Sequence, residues 1–296
     1  MRPGLQTRRR RPEARGGSLR TGRSIAGASA PLECRHDLDA NVSILSSRLR
    51  GGVVTPVRIL VHGASGRMGQ ALLRLARARS DLEVVAAVAG SAPRQRVVDG
   101  VPHFAASELG GVPTFDVAVD FSLPDGLRPV LAVCERRGAA FVSGTTGLSD
   151  DQCEALDTAA TRIPLVWASN FSLGVAVLQD LVRRAAGLLP GWDCDIVESH
   201  HTRKVDAPSG TALTLGEAAA EQGAHPRYAS LRAGDIVGEH LVQFTTRGER
   251  IELIHRAGDR DIFAAGALHV AQRLAGRAPR RYQVADLLAA TEAPLP

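Results

Sequence analysis

Two histidines, one lysine and a Pro-Ser-Gly-Thr turn fall within fourteen residues, Glu198-Ser-His-His-Thr-Arg-Lys-Val-Asp-Ala-Pro-Ser-Gly-Thr211. Imidazoles exchange protons near neutral pH, so His200 and His201 are candidates for general acid or base work. Lys204 is the only lysine in the 296 residues. Its compact ammonium with rotatable donors can do what a planar guanidinium cannot. Ser209 is placed to cap a helix whose first turn holds Gly210, Thr211 and Ala212. The free N–H groups of such a turn suit a carboxylate or a phosphate. The stretch therefore reads as proton donors and one cation beside an anion site. The plainer reading is a solvated polar loop with incidental histidines.

A second stretch could hold a nucleotide. Gly63-Ala-Ser-Gly66-Arg-Met-Gly69 directly follows the apolar run Val57–His62, and Met68, Ala71, Leu72, Leu75 and Ala76 then fall on one helical face. Strand, glycine-rich turn and helix make the setting in which a backbone approaches a pyrophosphate at a helix N-terminus. The alternative is a glycine-rich connection with no ligand.

Positioning these groups requires a sheet. Strands are predicted at 83–88, 115–121, 139–143 and 163–167, with helices at 125–137 and from Ser149 between them. Such alternation means a parallel sheet, with ligands beyond the carboxyl ends of its strands. The turns at 63–69, 121–122, 144–147 and 168–171 all leave such ends and should line one crevice. Residues 172–188 form a helix leading to a strand over 192–198 and then the histidine stretch. Beyond Ala220 the period becomes two. Runs 240–246 and 249–255 flank Arg247-Gly248 as an antiparallel hairpin, and 228–232 adds a strand. A helix over 261–274 and a short one near 284–290 close the chain. The fold class is α/β: a Rossmann-type parallel sheet domain with an inserted α+β substrate and oligomerisation domain. The boundaries read as a disordered extension 1–56, a dinucleotide-binding domain 57–171 plus 257–296, and a substrate and oligomerisation domain 172–256.

Composition narrows the classes. A hydrophobic content of 44% supports real cores, and no apolar run is long enough to span a membrane. Cysteines 34, 134, 153 and 194 show no metal-ligand spacing. That favours a reducing compartment and no disulfide framework. The cytoplasm is the expected location, and no metal is expected. The net charge of +5 is uneven: residues 1–56 hold eleven arginines against four acids, which leaves 25 basic and 27 acidic side chains for the remainder. Nucleic acid is not an expected partner of the folded body. The Arg-rich extension carries Arg8-Arg-Arg-Arg11 and lacks an apolar core. It reads as a transit segment, an RNA-binding tail or, preferred here, residues upstream of a working start near Val57.

In order along the chain, GASGRMG, DFS, GTTG, ASNFSLGV, ESHHTRKVDAPSGTA and RAGDIVGEH resemble the 4-hydroxy-tetrahydrodipicolinate reductase (dihydrodipicolinate reductase) family from about Val57 to the C-terminus. The resemblance implies a Rossmann domain, a homotetramer built through the substrate-domain sheet, and NADPH or NADH as cofactor. It implies cofactor contacts by Gly63, Ala64, Ser65, Gly66, Arg67 and Met68, by Gly144, Thr145 and Thr146, and by Ala168, Ser169, Asn170 and Phe171. It further implies catalysis by His200 with Lys204 as the second catalytic group, and substrate binding by His201, Gly210 and Thr211. The substrate would be a cyclic imine dicarboxylate of lysine and diaminopimelate biosynthesis. Another nicotinamide-dependent imine or amino-acid reductase would keep the glycine turn without needing the histidine–lysine run. A non-catalytic dinucleotide sensor would keep the turn and lose the acid. The sequence departs from the family in a shorter region between the SGTA helix and RAGDIVGEH. It also lacks an acid at Ala89-Gly90, where NAD-selective domains hydrogen-bond the ribose 2′-OH. Ser91, Arg94 and Arg96 follow, so NADPH is expected to serve at least as well as NADH.

Overall fold

The computed structural model describes residues 55–288; expectations for residues 1–54 and 289–296 lie outside them. The apolar run forms β1 (Val57–His62), whose last four residues are buried. The chain turns at Gly63 and enters α1 (Arg67–Ala76). Neighbouring strands are β2 (Leu82–Ala89), β4 (Val101–Ala105), β5 (Val117–Asp120), β6 (Ala140–Ser143), β7 (Pro164–Trp167) and β12 (Arg280–Tyr282). All these pair in parallel; β3 (Val97–Val98) adds antiparallel at one edge, giving the order β12-β7-β6-β5-β1-β2-β4-β3. The order reverses at β1, between β2 and β5, which is where a crevice opens at the carboxyl ends of such a sheet.

Two apolar layers cover the sheet. Leu72 and Leu73 of α1 share one core with Ala264, Leu268 and Leu274 of α6 (Asp261–Leu274). On the other face α2 (Pro124–Arg137) and α3 (Asp150–Ala160) bury Leu127, Val130, Leu131 and Leu156. The expected opening of α3 at Ser149 is a capping box: Ser149 Oγ accepts from Gln152 N, and Gln152 Oε1 accepts from Ser149 N.

The inserted portion comprises α4 (Leu173–Leu188), β8 (Asp193–His200), α5 (Gly210–Ala220), β9 (Pro226–Arg232), β10 (Gly238–Thr246) and β11 (Glu249–Ala257). Its sheet runs β11-β10-β8-β9. The hairpin is antiparallel as expected, but β9 pairs parallel to β8, with α5 as the crossover. Cys194 and Ile196 of β8 and Val242 and Phe244 of β10 are buried with Leu178, Val182 and Leu215 from α4 and α5.

Three strands escaped the sequence reading. Val101-Pro-His-Phe-Ala105 is broken by proline and histidine, Val97–Val98 has two residues, and Arg280–Tyr282 has three, two of them arginine. Pairing with a sheet edge, not local preference, makes them strands. The helix expected near 284–290 is a single 3-10 turn, Val284–Leu287. No described helix is long and apolar enough to cross a membrane.

Candidate active site

The glycine turn is compressed. Gly63 has φ +80°, and a Cβ there would stand 2.4 Å from the Phe121 carbonyl oxygen; one on Gly69 would stand 2.3 Å from the Gly63 oxygen. Only glycine fits both places. Gly63 N and Ala64 N donate to Val88 O at 3.0 and 2.9 Å, tying the turn to β2. The N-cap of α1 is Gly66, which supplies no side-chain cap. The first-turn amides of Arg67 and Met68 are thus left for an anion. A bare helix N-terminus behind a turn that no side chain can fill fits the pyrophosphate of a dinucleotide.

Beneath the neighbouring turns lies a buried polar hub. Asp120, at the end of β5, is fully buried. Its Oδ1 meets His62 Nδ1 at 2.8 Å and accepts from Ser122 N at 3.2 Å. Its Oδ2 accepts from the hydroxyls of Ser143 and Thr145, both at 2.8 Å. Burial would push this carboxyl up, but His62 and the hydrogen-bonded Ser122 and Thr145 hold it below its usual range. One carboxylate thereby gathers the ends of β1, β5 and β6.

The second half of the site follows from strand register. Alternate residues of β8 share a face, so Cys194, Ile196, Glu198 and His200 line up. Opposite them on β10 stand Phe244, Val242 and His240 in register. The face therefore turns from apolar core to polar site along its length. His255, His240, Glu198 and Ser230 form one row across all four strands, and His200 is in register with Arg232. His200 Nδ1 lies 2.5 Å from Glu198 Oε2. Burial would raise the Glu198 carboxyl, yet hydrogen bonds from Arg232, Ser230 and His200 lower it to about 2. His240 packs edge-on against His200, with centroids 5.3 Å apart, and burial lowers its pKa to about 4. Burial, then Arg203 and Arg260, lower that of His201. The Lys204 ammonium pairs with Asp206 at 2.8 Å. Ser209 caps α5 as expected, its oxygen accepting from Ala212 N at 3.2 Å.

The two halves meet at one cavity of about 780 Å³. Of the expected residues, Arg67, Met68, Gly144, Ser169, Asn170, Phe171, His200, His201, Lys204 and Thr211 line it. Asn170 Nδ2 donates to Thr211 Oγ1 at 3.0 Å, joining the turn after β7 to the start of α5. Ala64 and Ser65 line an adjoining cavity of about 450 Å³ with Ser91 and Arg94. Ala168 lines a third, with Trp167. Gly63, Gly66, Thr145, Thr146 and Gly210 line none of these. Thr145 is buried with its hydroxyl on Asp120. Arg96 does not join Arg94: its guanidinium lies on the Glu108 carboxylate, at 2.9 and 2.7 Å from the two oxygens. A carboxylate twelve residues away captured it, which loop length alone could not reveal. Cavity residues that the sequence reading did not select include Gln70, His240, His255, Arg260 and Phe263. His240 could have been found from the polar step in the alternation of β10; the others carry no sequence signal.

Family models described as dihydrodipicolinate reductase, N-terminus, and dihydrodipicolinate reductase, C-terminus, match residues 57–171 and 174–288. The chain belongs to the dihydrodipicolinate reductase family. It is 72% identical over 235 residues to a 4-hydroxy-tetrahydrodipicolinate reductase of Stenotrophomonas maltophilia, spanning 79% of this chain and 98% of that protein. A counterpart from Xanthomonas campestris pv. campestris is 69% identical over 234 residues, with the same coverage, 79% and 98%. Among solved structures, a dipicolinate-bound dihydrodipicolinate reductase from Paenisporosarcina sp. TG-14 superposes with a TM-score of 0.70 at 22% identity, covering 79% of this chain and all of that one. An amine dehydrogenase from Mycobacterium smegmatis shares the fold at a TM-score of 0.53 and 13% identity, covering 79% of this chain and 97% of its own. In this dihydrodipicolinate reductase family member, the glycine turn and the histidine stretch thus face one cavity from two sheets.

Proposed function

We propose that the chain reduces 4-hydroxy-tetrahydrodipicolinate to tetrahydrodipicolinate with loss of water, as an NAD(P)H-dependent oxidoreductase of lysine and diaminopimelate biosynthesis. The observation that carries the reading is the single cavity lined both by Arg67 and Met68 at the start of α1 and by His200, Lys204 and Thr211. The reduced nicotinamide supplies the hydride. His200 gives a proton to the ring carbon beside the one reduced, the work of a general acid. Lys204 is the second catalytic group. His201, Gly210 and Thr211 hold the substrate carboxylates, helped by the N-terminus of α5. Gly63 to Met68, Gly144 to Thr146 and Ala168 to Phe171 hold the cofactor, directly or by shaping the turns that do. Residues 57–171 with 257–296 serve the dinucleotide and 172–256 the substrate.

A homotetramer is part of the same reading. Ile254, Leu241, Val197 and Ala229 stand in one register row on the sheet face away from α4 and α5, and Ile254 is 41% exposed. Such an apolar row supports sheet-to-sheet association, which light scattering would test. For the chemistry, His200→Gln should lower turnover about 100- to 10,000-fold, the usual worth of a general acid, while NADPH affinity changes little. Near-normal turnover would remove His200 from the reaction.

A further inference from the structure

The proposed acid does not stand alone. Glu198 lies two residues before it on the same face of β8, fully buried, with its carboxylate on His200 Nδ1 at 2.5 Å. An ionised carboxylate only accepts hydrogen bonds, so the proton between them belongs to Nδ1. Glu198 is itself clamped. Arg232 Nη1 donates to Oε2 at 2.9 Å and Nη2 to Oε1 at 2.8 Å, a two-pronged pairing. The same Nη2 donates to the Asp206 carbonyl at 2.5 Å, and the Asp206 carboxylate holds Lys204. The other ring nitrogen meets no such partner. Nε2 faces Gly238, where a Cβ would come within 3.1 Å of it, and both residues line the cavity.

We propose that Glu198 is a positioning residue for the reaction: it fixes His200 with Nδ1 protonated and Nε2 toward the cavity, while Arg232 anchors Glu198 and the loop bearing Lys204. The inference rests on His200 being the acid. In the proton-transfer step the Nε2–H bond of the imidazolium breaks as the C–H bond of the product forms. The imidazole left behind keeps its Nδ1 proton on Glu198, so the ring neither flips nor changes tautomer between turnovers. Other charged or titratable groups surround the ring: Arg232 on β9, His240 on β10, His255 on β11, and His201 and Lys204 on the loop. None of these bonds to a ring nitrogen of His200; among the described residues Glu198 does.

The test begins with the unmodified protein. Ring nitrogen-15 spectra should show the neutral His200 imidazole protonated at Nδ1 and bare at Nε2. A neutral form protonated at Nε2 with a bare Nδ1 would overturn the proposal without any substitution. Next, Glu198→Gln should lower kcat about 10- to 1,000-fold with substrate KM and NADPH Kd within about threefold. Ring nitrogen-15 spectra of Glu198→Gln should show the Nδ1-protonated tautomer mixed with the Nε2-protonated one. Glu198→Asp, which keeps a carboxylate at a shorter reach, should restore both kcat and the Nδ1 tautomer in part. In a His200→Gln background Glu198→Gln should cost nothing further, as expected of groups acting as one. A normal kcat in Glu198→Gln, or a full additive loss in the double variant, would make Glu198 merely structural and refute the idea. Should His200→Gln alone leave turnover intact, the reading of the acid fails instead, and the two failures are told apart.

Discussion

Replacing Asp120 by asparagine should loosen the turns proposed to carry the cofactor. The carboxylate serves four donors: His62 Nδ1 and Ser122 N on one oxygen, the Ser143 and Thr145 hydroxyls on the other. An amide offers one acceptor and one donor. Kept with its oxygen toward His62, it presents NH2 to two hydroxyls. Those hydroxyls are not free to reverse without cost, because Ser143 Oγ already accepts from Thr145 N and Thr145 Oγ1 from Ser122 N, both at 3.2 Å. Two buried hydrogen bonds to a charge are therefore lost. At about 1–3 kcal/mol for each buried group left unmatched, the expected destabilisation is about 2–6 kcal/mol. At about 2–4 °C per kcal/mol for a domain of this size, that corresponds to a drop in Tm of roughly 4–24 °C. Urea unfolding of Asp120→Asn against the unmodified protein would measure it. NADPH titration at a temperature where the variant is folded should show binding weakened at least about threefold, since Ser122, Gly144 and Thr145 border the same turns. A loss below about 0.5 kcal/mol would refute the hydrogen-bond accounting. A large loss with unchanged NADPH affinity would show that the hub serves the core and not the turns.

Three further outcomes follow from described contacts. Lys204→Arg should be nearly as harmful as Lys204→Ala in steady-state turnover, because the guanidinium differs in shape and donor geometry from the ammonium held by Asp206; an arginine variant with most of its activity would show that charge suffices. Arg94→Ala should weaken NADPH binding more than NADH binding, less so at high salt, whereas Arg96→Ala, already paired with Glu108, should change neither; equal effects of the two substitutions in calorimetric titration would argue against this division. His240, 4% exposed, has a folded pKa of about 4. Since this lies below the unfolded value near 6.5, the stability gained by keeping it neutral is complete above about pH 6.5 and lost as pH falls toward 4, up to about 3 kcal/mol. His240→Gln should flatten the stability profile over that window, and an unchanged slope in urea unfolding would contradict it.

Much of this was legible beforehand because local signals and tertiary context agreed. The run Val57–His62, the glycine turn, the Ser149 and Ser209 caps and the helix Asp261–Leu274 all fall where periodicity and capping chemistry put them. Family resemblance supplied residue roles that spacing could not. What escaped was decided by long-range partners. The strands Val101–Ala105 and Arg280–Tyr282 exist because a neighbouring edge accepts them. Arg96 went to Glu108 instead of the nucleotide side. Glu198 looked like the last residue of a strand, and its link to His200 and Arg232 appears only once β8 and β9 lie in register. Asp120 in Asp-Phe-Ser likewise gives no hint that hydroxyls at 143 and 145 converge on it.

The parallel pairing of β8 with β9 has a consequence for how the two halves of the enzyme can vary. It makes the stretch 201–209 a strand-to-helix connection, the same kind of place as the glycine turn between β1 and α1. Both halves therefore offer their reactive groups from the tip of a strand and the mouth of a helix, and the cavity is a seam between two such tips. A loop at the tip of a strand can change without disturbing the ladder below it. The loop with Ser91 and Arg94, where nucleotide preference is proposed to lie, and His200, the proposed proton donor, stand on separate ladders. The bond from Asn170 Nδ2 to Thr211 Oγ1 joins the two portions. Each can drift while the other stays in tune, and the chemistry performed depends on which pair of tips the fold brings face to face.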